Sequence, residues 1–298
     1  MKTPSLLHVL SGSSALTAAF VGVFILAVIA ACYKAPVTGR SQLILIPENQ
    51  EIEMGLVAFQ EVLKNQKISH NHTYNRAVGR VVARISRVSH RPNYDWEYRV
   101  IDNSDEINAF ALPGGKVGIY TGIIPIAHNE AGLATVIGHE VAHATARHGG
   151  ERITAGILAQ MGAVALNIGL SNKDPAVVQA LNVAYGLGIT VGAILPFSRR
   201  QEAEADRIGL IYMAKAGYHP REALAFWDRM HEATRDKPRP PQFLATHPGY
   251  RTRRSNLQKW QPEAMQFYRL APKAPNNLIA GSEDKPHSLS LASIPQNR

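Results

Sequence analysis

The chain has 298 residues, a single cysteine, and 32 lysine and arginine residues against 23 acidic ones, which gives a formal net charge of +9. One cysteine excludes an internal disulfide framework and every zinc site built from several thiolates, so any metal chemistry has to use histidines and carboxylates. Because the basic residues are scattered and no aromatic ladder accompanies them, we expect solubility or attraction to an anionic surface and no nucleic-acid partner.

The start of the chain predicts a signal peptide over residues 1–31. Residues 16–31 are uncharged and apolar, and they end in small residues before Cys32. The sequence Ile29-Ala30-Ala31-Cys32 resembles a bacterial lipobox and predicts lipidation of Cys32. The alternative is an uncleaved anchor, although this apolar stretch falls short of the about 20 residues that span a bilayer. Lys34, the second residue after the cysteine, favours sorting to the outer membrane, so we expect an outer-membrane lipoprotein that faces the periplasm.

A tether and two helices are predicted next. Residues 32–47 contain proline and glycine and predict a lipid-anchored tether. Residues 48–65 and 73–88 have apolar residues at helical spacing and predict two amphipathic helices. The predicted buried face of the first helix consists of Ile52, Leu56, Phe59 and Leu63, and that of the second of Val78, Val81, Val82, Ile85 and Val88.

Strands follow these helices. Apolar and polar residues alternate with a period of two over residues 96–100, which predicts a half-buried strand. Residues 108–112 and 116–120 predict two more strands, joined by a tight turn at Pro113-Gly114-Gly115. Helices followed by a small sheet are typical of an α+β fold.

The next predicted helix contains a metal-binding pattern. It is capped by Asn129 and ends near His148, where Gly149-Gly150 stops it. The pattern is His139-Glu140-Val141-Ala142-His143. Histidines four residues apart differ by about 40° around a helix, so both imidazoles reach one Zn²⁺. Glu140 lies at a neighbouring azimuth, where it meets a water beside the metal without having to bind the metal. The alternative is a histidine-rich amphipathic helix that binds nothing.

A catalytic zinc ion has three protein ligands, so a third is expected downstream. A helix with Ser198 as its cap contains Glu202, Glu204 and Asp206. Glu202 and Asp206 share a face, whereas Glu204 is rotated by about 200° from Glu202. We therefore predict Glu202 as the third ligand and Asp206 as the carboxylate that orients His139 through its other ring nitrogen. The alternative is a solvated charged face made of these carboxylates and the neighbouring arginines.

Together, His139-Glu140-x-x-His143 and Glu202-x-x-x-Asp206 resemble the gluzincin arrangement of the zinc metallopeptidase family that includes HtpX, the CAAX prenyl protease and the mitochondrial protease OMA. Three further segments match: Pro36-Val37-Thr38-Gly39-Arg40, the segment from Asn108 to Gly115, and Thr246-His247-Pro248 with Arg253. The resemblance covers about residues 32–260. It extends in particular to periplasmic lipoprotein members such as LoiP, YcaL and BepA, without the tetratricopeptide repeats that follow the BepA protease domain.

The resemblance implies a zincin-like (gluzincin) domain over residues 48–262, mostly helical with a small β-sheet, that binds one Zn²⁺. It implies a zinc endopeptidase that degrades misfolded or stalled envelope and outer-membrane proteins. Its partners would be unfolded or misassembled substrates, a membrane reached through the lipid anchor, and the outer-membrane assembly machinery. Glu140 would be the general base. An alternative function is a membrane-tethered chaperone or assembly scaffold, which would not need the base Glu140. A zinc amidase acting on the cell wall would need wall-binding repeats that the sequence lacks.

The resemblance also implies roles for two further segments. Asn108, Ala109, Phe110 and Ala111 resemble an edge strand that pairs with an extended substrate, the alternative being a plain core hairpin. His247 would either bind the metal in a resting state and keep the enzyme latent, or act with Arg253 to stabilise the oxyanion. We favour latency, and a third alternative is a histidine at a helix start without contact to the metal.

Two segments without candidate site residues complete the chain. Residues 152–170 and 176–195 are apolar but are interrupted by polar residues, and they predict a soluble helical hairpin over the cleft. Residues 271–298 are rich in proline, serine and asparagine and predict a disordered tail.

Overall fold

A computed structural model of the chain describes residues 32–189, 195–236, 240–247 and 249–279. The predicted signal peptide, residues 1–31, lies outside the described residues. The same holds for residues 280–298 of the predicted tail.

The described residues form a mostly helical structure with two small sheets. The strands are β1 (Cys32–Lys34), β2 (Ser41–Leu43), β3 (Glu97–Ile101), β4 (Ala109–Leu112) and β5 (Lys116–Tyr120). The helices are α1 (Glu48–Lys64), α2 (His72–Val88), α3 (Ile124–Ala127), α4 (Glu130–Thr145), α5 (His148–Gly169), α6 (Pro175–Ile189), α7 (Leu195–Lys215), α8 (Glu222–Thr234), α9 (Gln242–Thr246) and α10 (Tyr250–Leu270). The predicted fold class, α+β with a mostly helical zincin-like domain, is confirmed.

The three-stranded sheet contains the strands predicted from residues 96–120. Its order is β3-β5-β4, in which β3 runs parallel to β5 and β4 runs antiparallel to it. The turn between β4 and β5 uses Gly114 and Gly115 at φ +83° and +91°, a region that glycine enters without steric cost. Among the described strands β4 pairs with β5 alone, so it lies at an edge of the sheet.

Helix α4 lies at the centre of the molecule, and nearly all its residues are buried. It packs against α7 so closely that a Cβ on Gly209 would lie 2.7 Å from the backbone nitrogen of His139. Glycines at this crossing let the two helix backbones approach each other. This contact brings the carboxylates of α7 beside the histidines of α4.

The buried face of α1 differs from the predicted one. Glu51, Gly55 and Phe59 are buried, whereas Ile52 and Leu56 are exposed. A Cβ on Gly55 would lie 2.3 Å from the carbonyl oxygen of Pro113, so the helix rests on the β4–β5 turn through its glycine. The observed face therefore shares only Phe59 with the predicted one. The predicted face of α2 is confirmed, since Val78, Val81, Val82 and Ile85 are buried and Val88 is partly buried.

The break between α4 and α5 also differs from the prediction. It occurs at Arg147, which has a left-handed backbone with φ 58° and ψ 36°, and Gly149-Gly150 lies inside α5. The side chain of Arg147 offsets this strained backbone with bonds to Glu51 and to the Ile46 carbonyl. Gly150 is needed for packing, because a Cβ there would overlap the Glu51 carboxylate.

The start of α7 also differs from the prediction. Helix α7 begins at Leu195, so Ser198 lies inside it and is not its cap. Pro196 falls in the first turn, where its missing N–H removes no helical hydrogen bond.

Residues 32–47 are not a free tether. Strands β1 and β2 form an antiparallel hairpin that packs on the C-terminal end of α4. Tyr33 donates a hydrogen bond to the Thr145 carbonyl at 3.2 Å, and Gln42 donates one to the Ala146 carbonyl at 2.9 Å. The predicted tether is therefore part of the folded domain.

Residues 271–279 likewise pack on the domain, at the N-terminal end of α4. The amide of Glu130 donates to the Asn277 carbonyl, the amide of Ala131 to the Asn276 side chain, and the amide of Ile279 to the His128 carbonyl. The first two bonds satisfy backbone donors that a helix start leaves free. The start of the predicted disordered tail is thus ordered.

Helices α5 and α6 form a helical hairpin, as predicted, with Asn167 and Asn182 bonded to each other across it. Residues 190–194 of the predicted hairpin lie outside the described residues, and its place over the cleft stays a prediction. Its exposed apolar residues are Ile153, Ile157, Leu158, Met161, Val164, Ile168, Val177, Leu181 and Val183. Among the described residues, none of the helices combines the length and hydrophobicity that crossing a bilayer requires.

Candidate active site

The predicted ligands meet between α4 and α7. The Nε2 atoms of His139 and His143 lie 3.1 Å apart, and the Glu202 carboxylate lies 3.4 Å from the first and 3.3 Å from the second. Nδ1 of His247 lies 3.3 Å from His139 Nε2 and 2.8 Å from Glu202. One donor atom from each of the four residues falls within 4.8 Å of all the others.

This donor set fits a zinc ion. Atoms bound to one Zn²⁺ at about 2.0–2.1 Å in a tetrahedron lie roughly 3.3 Å apart, close to the distances observed here. Imidazole nitrogens that face one another at this spacing have their lone pairs directed at one point, where a cation removes their mutual repulsion. His139, His143 and Glu202 would hold the zinc ion, and His247 is placed to add a fourth ligand.

The charge of Glu202 suits this position. Burial opposes ionisation of the carboxylate, but its close contacts with the imidazoles of His139, His143 and His247 hold its pKa well below the ordinary value. Burial lowers the pKa of His247 to about 3, so the imidazole is neutral and can offer a lone pair. Both residues are therefore in the protonation states that bind metals.

Glu140 lies beside the ligands without joining them. Burial raises the pKa of its carboxyl to about 7. Its Oε1 atom has no hydrogen-bond partner among the described residues, and Nε2 of His247 lies 3.5 Å away. A buried carboxyl with a free oxygen and a pKa near neutrality is suited to exchange a proton with a nearby water.

Asp206 and Arg253 lie behind the ligands. The Asp206 carboxylate lies 3.0 Å from Nδ1 of His139 and accepts a 2.5 Å hydrogen bond from Arg253. Although burial opposes its ionisation, Arg253 and His139 lower the pKa of Asp206. Arg253 is itself buried, lies 4.0 Å above the Trp227 ring, and donates to Glu202 and to the His247 carbonyl. The guanidinium thus contacts the carboxylates of Glu202 and Asp206 and the backbone of His247.

The predicted edge strand lies against the site. Phe110 and Ala111 belong to β4, Ala109 begins the strand, and Asn108 precedes it with its side chain accepting a bond from the Ala109 amide. The backbone amide of Ala111 faces the Glu140 carboxylate. The structure thus brings Ala111 of the predicted strand segment next to the predicted base.

A second group of residues, which no sequence pattern predicts, lies on the far side of His143. Nδ1 of His148 lies 2.8 Å from Nδ1 of His143, and its Nε2 lies 3.1 Å from Glu204. Burial lowers the pKa of His148 to about 4. Although burial opposes its ionisation, His148, Arg40 and Thr38 lower the pKa of Glu204 to about 2. Glu204 is not among the clustered ligands, as predicted, but it is buried and bonded.

The sequence of this chain is similar to those of known metallopeptidases. The sequence profile of peptidase family M48 matches residues 72–261. The mitochondrial metalloendopeptidase OMA1 of Schizosaccharomyces pombe is 34% identical over 234 residues, which cover 77% of this chain and 66% of the relative. The mitochondrial metalloendopeptidase OMA1 of Homo sapiens is 29% identical over 245 residues, 78% of this chain and 46% of the relative. The β-barrel assembly-enhancing protease of Escherichia coli is 29% identical over 204 residues, 67% of this chain and 41% of the relative.

These similarities correct one expectation. The chain spans between 41% and 66% of the length of these three relatives, and two of them are mitochondrial proteases. A bacterial outer-membrane location facing the periplasm is therefore wrong as a conclusion from the sequence. It depended on two short patterns, the lipobox-like segment Ile29-Ala30-Ala31-Cys32 and Lys34, and the mitochondrial relatives do not support it.

Proposed function

The chain belongs to peptidase family M48, and from this premise we propose that it is a zinc endopeptidase that cleaves misfolded or stalled proteins. The membership bears out the predicted family and the predicted metallopeptidase class. One observation supports the proposal most strongly. Three imidazole nitrogens and one carboxylate converge at the spacing of zinc ligands, beside a buried glutamate that does not join them.

The proposed chemistry divides between metal and protein. A Zn²⁺ ion held by His139, His143 and Glu202 would supply a positive charge that polarises a peptide carbonyl and makes a nearby water more acidic. Glu140 takes the proton from that water as it attacks the carbonyl, and then gives the proton to the leaving amine. Asp206 keeps the Nδ1 proton of His139 in place, so that Nε2 faces the metal.

The proposed substrate is an extended segment of an unfolded protein. Strand β4 has one edge without a partner among the described strands, and its Ala111 amide lies beside Glu140. A chain that added to this edge would pair backbone with backbone, which selects extended conformation more than sequence. The E. coli relative is named for enhancing β-barrel assembly, and we take stalled assembly intermediates of membrane proteins as one such substrate class.

The purified chain is expected to cleave unfolded casein, to stop when a chelator removes the metal, and to resume when Zn²⁺ is added back. Peptide release would be measured, with a tightly folded protein as the control substrate that stays intact. A zinc-loaded chain that binds casein without cleaving it would contradict the proposal. That result would favour the alternative function, a chaperone or assembly scaffold that retains a zinc site.

We also propose that His247 keeps the enzyme latent. A catalytic zinc site leaves one position open for water, and the fourth donor atom found here, Nδ1 of His247, lies at ligand spacing. If His247 binds the ion, no water can take that position. Its place at the end of the short helix α9 lets it leave without unfolding a long element.

Latency makes a definite prediction for His247→Ala. The variant is expected to cleave casein and itself faster than the wild type, because the fourth position is open to water. Initial rates would be compared at equal zinc content. If His247 instead stabilises the oxyanion, the rate falls by about 10-fold to 1,000-fold with zinc unchanged, and that outcome would reverse the assignment.

We also propose that a fatty-acyl group on Cys32 attaches the chain to a membrane. Cys32 is the only cysteine of the chain, and it is exposed at the start of β1. Cys32→Ala is expected to abolish incorporation of labelled fatty acid and membrane association. Equal labelling of the variant and the wild type in cells would contradict acylation at this residue.

A further inference from the structure

His148 touches a zinc ligand without being placed to bind the metal. It is not in the cluster of His139, His143, Glu202 and His247 whose donor atoms converge. Its two ring nitrogens instead connect Nδ1 of His143, at 2.8 Å, with the carboxylate of Glu204, at 3.1 Å. His148 is buried, at 2% exposure.

The position of each proton in this chain of contacts follows from the chemistry of its members. A carboxylate only accepts hydrogen bonds, so Nε2 of a neutral His148 donates to Glu204. The Nδ1 atom of His148 then has only a lone pair and accepts from Nδ1–H of His143. With its proton on Nδ1, His143 has a lone pair on Nε2, the atom that faces the other ligands.

Each of the two histidine ligands is therefore positioned by a carboxylate, which acts directly on His139 and through a second imidazole on His143. Asp206 contacts Nδ1 of His139 directly, at 3.0 Å. For His143 the carboxylate is Glu204, and the imidazole of His148 stands between them. In both cases a buried carboxylate fixes the tautomer and the ring orientation of a ligand.

Glu204 is itself held by the turn between β1 and β2. Arg40 donates to Glu204 at 2.8 Å and also to Glu151, and the Thr38 hydroxyl donates to the other oxygen of Glu204. The turn places these side chains by means of left-handed backbone at Val37 (φ 63°) and Gly39 (φ 66°). The segment Pro36-Val37-Thr38-Gly39-Arg40 thus supplies two side chains that bind the Glu204 carboxylate, the same carboxylate that the His148 imidazole contacts.

We propose that His148 is a positioning residue for zinc ligand His143, and that Thr38 and Arg40 of the β1–β2 turn hold it in place through Glu204. The inference depends on the proposed zinc site. It gives the N-terminal hairpin a role in metal binding, although the hairpin supplies no ligand. Second partners of histidine ligands are typically worth about 10-fold to 100-fold in metal affinity.

The test compares two replacements of His148 by zinc titration of the full chain against a chromophoric chelator. His148→Phe keeps a ring but has no polar atom, and we expect it to weaken zinc binding by about 10-fold to 100-fold. In His148→Gln the amide oxygen can accept from His143 and the amide nitrogen can donate to Glu204, so we expect an affinity within about 3-fold of the wild type. The absorption spectrum of the Co²⁺-loaded protein should change in the first variant only.

A second pair of variants tests the far end of the chain of contacts. Arg40→Met removes the guanidinium from Glu204 and should weaken zinc binding by up to about 10-fold. Arg80→Met removes a comparable arginine from the buried Glu130, outside this network, and should leave zinc affinity unchanged. Unfolding midpoints of the metal-free proteins would show how much each change costs the fold. If His148→Phe does not fold, this pair decides the question.

The outcomes separate this inference from the proposed function. Wild-type zinc affinity in His148→Phe, equal losses in His148→Phe and His148→Gln, or equal affinities in the two arginine variants would each overturn the positioning role. Failure of the wild-type chain to bind zinc at all would overturn the proposed function instead.

Discussion

The Glu140→Gln variant is expected to bind zinc as tightly as the wild type and to cleave casein at least about 100-fold more slowly. The amide has nearly the shape of the carboxyl, but it cannot accept a proton from water. Because Glu140 is absent from the converging donor atoms, its replacement should leave the metal in place. Zinc content and initial rates, measured on the same preparation, check both statements.

Glu130→Gln is the matched control. Glu130 lies on the same helix, is fully buried, and forms an ion pair with Arg80 at 2.6 Å. Its replacement should lower the stability of the fold. The rate per zinc-loaded molecule should stay within about 2-fold of the wild type, because Glu130 does not exchange a proton with the attacking water. Full activity in Glu140→Gln at unchanged zinc content would exclude Glu140 as the base.

The Glu202→Ala variant is expected to lose more than about 100-fold in zinc affinity, a larger effect than the loss of a residue that only orients a ligand. The change removes a carboxylate that lies within 3.4 Å of both histidine ligands. It also leaves His139, His143 and His247 with no negative charge among them, so the metal is held by neutral donors alone. Cleavage of casein should fall with the zinc content.

Glu204→Ala is the informative comparison, because it lies on the same helix two residues away. The helical position of Glu204 predicts that it does not bind the metal, and its place outside the ligand cluster agrees with this. Through His148, however, its loss should still weaken zinc binding, by about 10-fold to 100-fold. The order of affinities should be wild type, then Glu204→Ala, then Glu202→Ala. A larger loss in Glu204→Ala would mean that the roles of the two glutamates are exchanged.

The pairing of the proposed site residues on each helix could be predicted because it depends on local geometry. His139 and His143 are four residues apart on one helix, and Glu202 and Asp206 are four apart on another, so helical periodicity alone places each pair on one face. The close crossing of α4 and α7 was not visible as a pattern. A long-range packing contact between two glycines leaves no periodic signal.

The support around His143 could not be predicted for a similar reason. Residues five apart, such as His143 and His148, point about 140° away from each other on a continuous helix. They meet here only because Arg147 takes a left-handed backbone between them. Arg40 reaches Glu204 across 164 residues of sequence, and no local pattern records such a contact.

The two terminal segments described above bind opposite ends of helix α4. Side chains of the hairpin, residues 32–43, donate hydrogen bonds to carbonyls at the C-terminal end of this helix. Residues 276–279 form hydrogen bonds with the backbone at its N-terminal end. Contacts between residues so far apart in sequence form late in folding, because their loop-closure entropy has to be overcome first. During synthesis, the helix with His139 and His143 emerges long before the segment that caps its start. The first turn of the helix therefore gains these hydrogen-bond partners only after the rest of the described domain has been made.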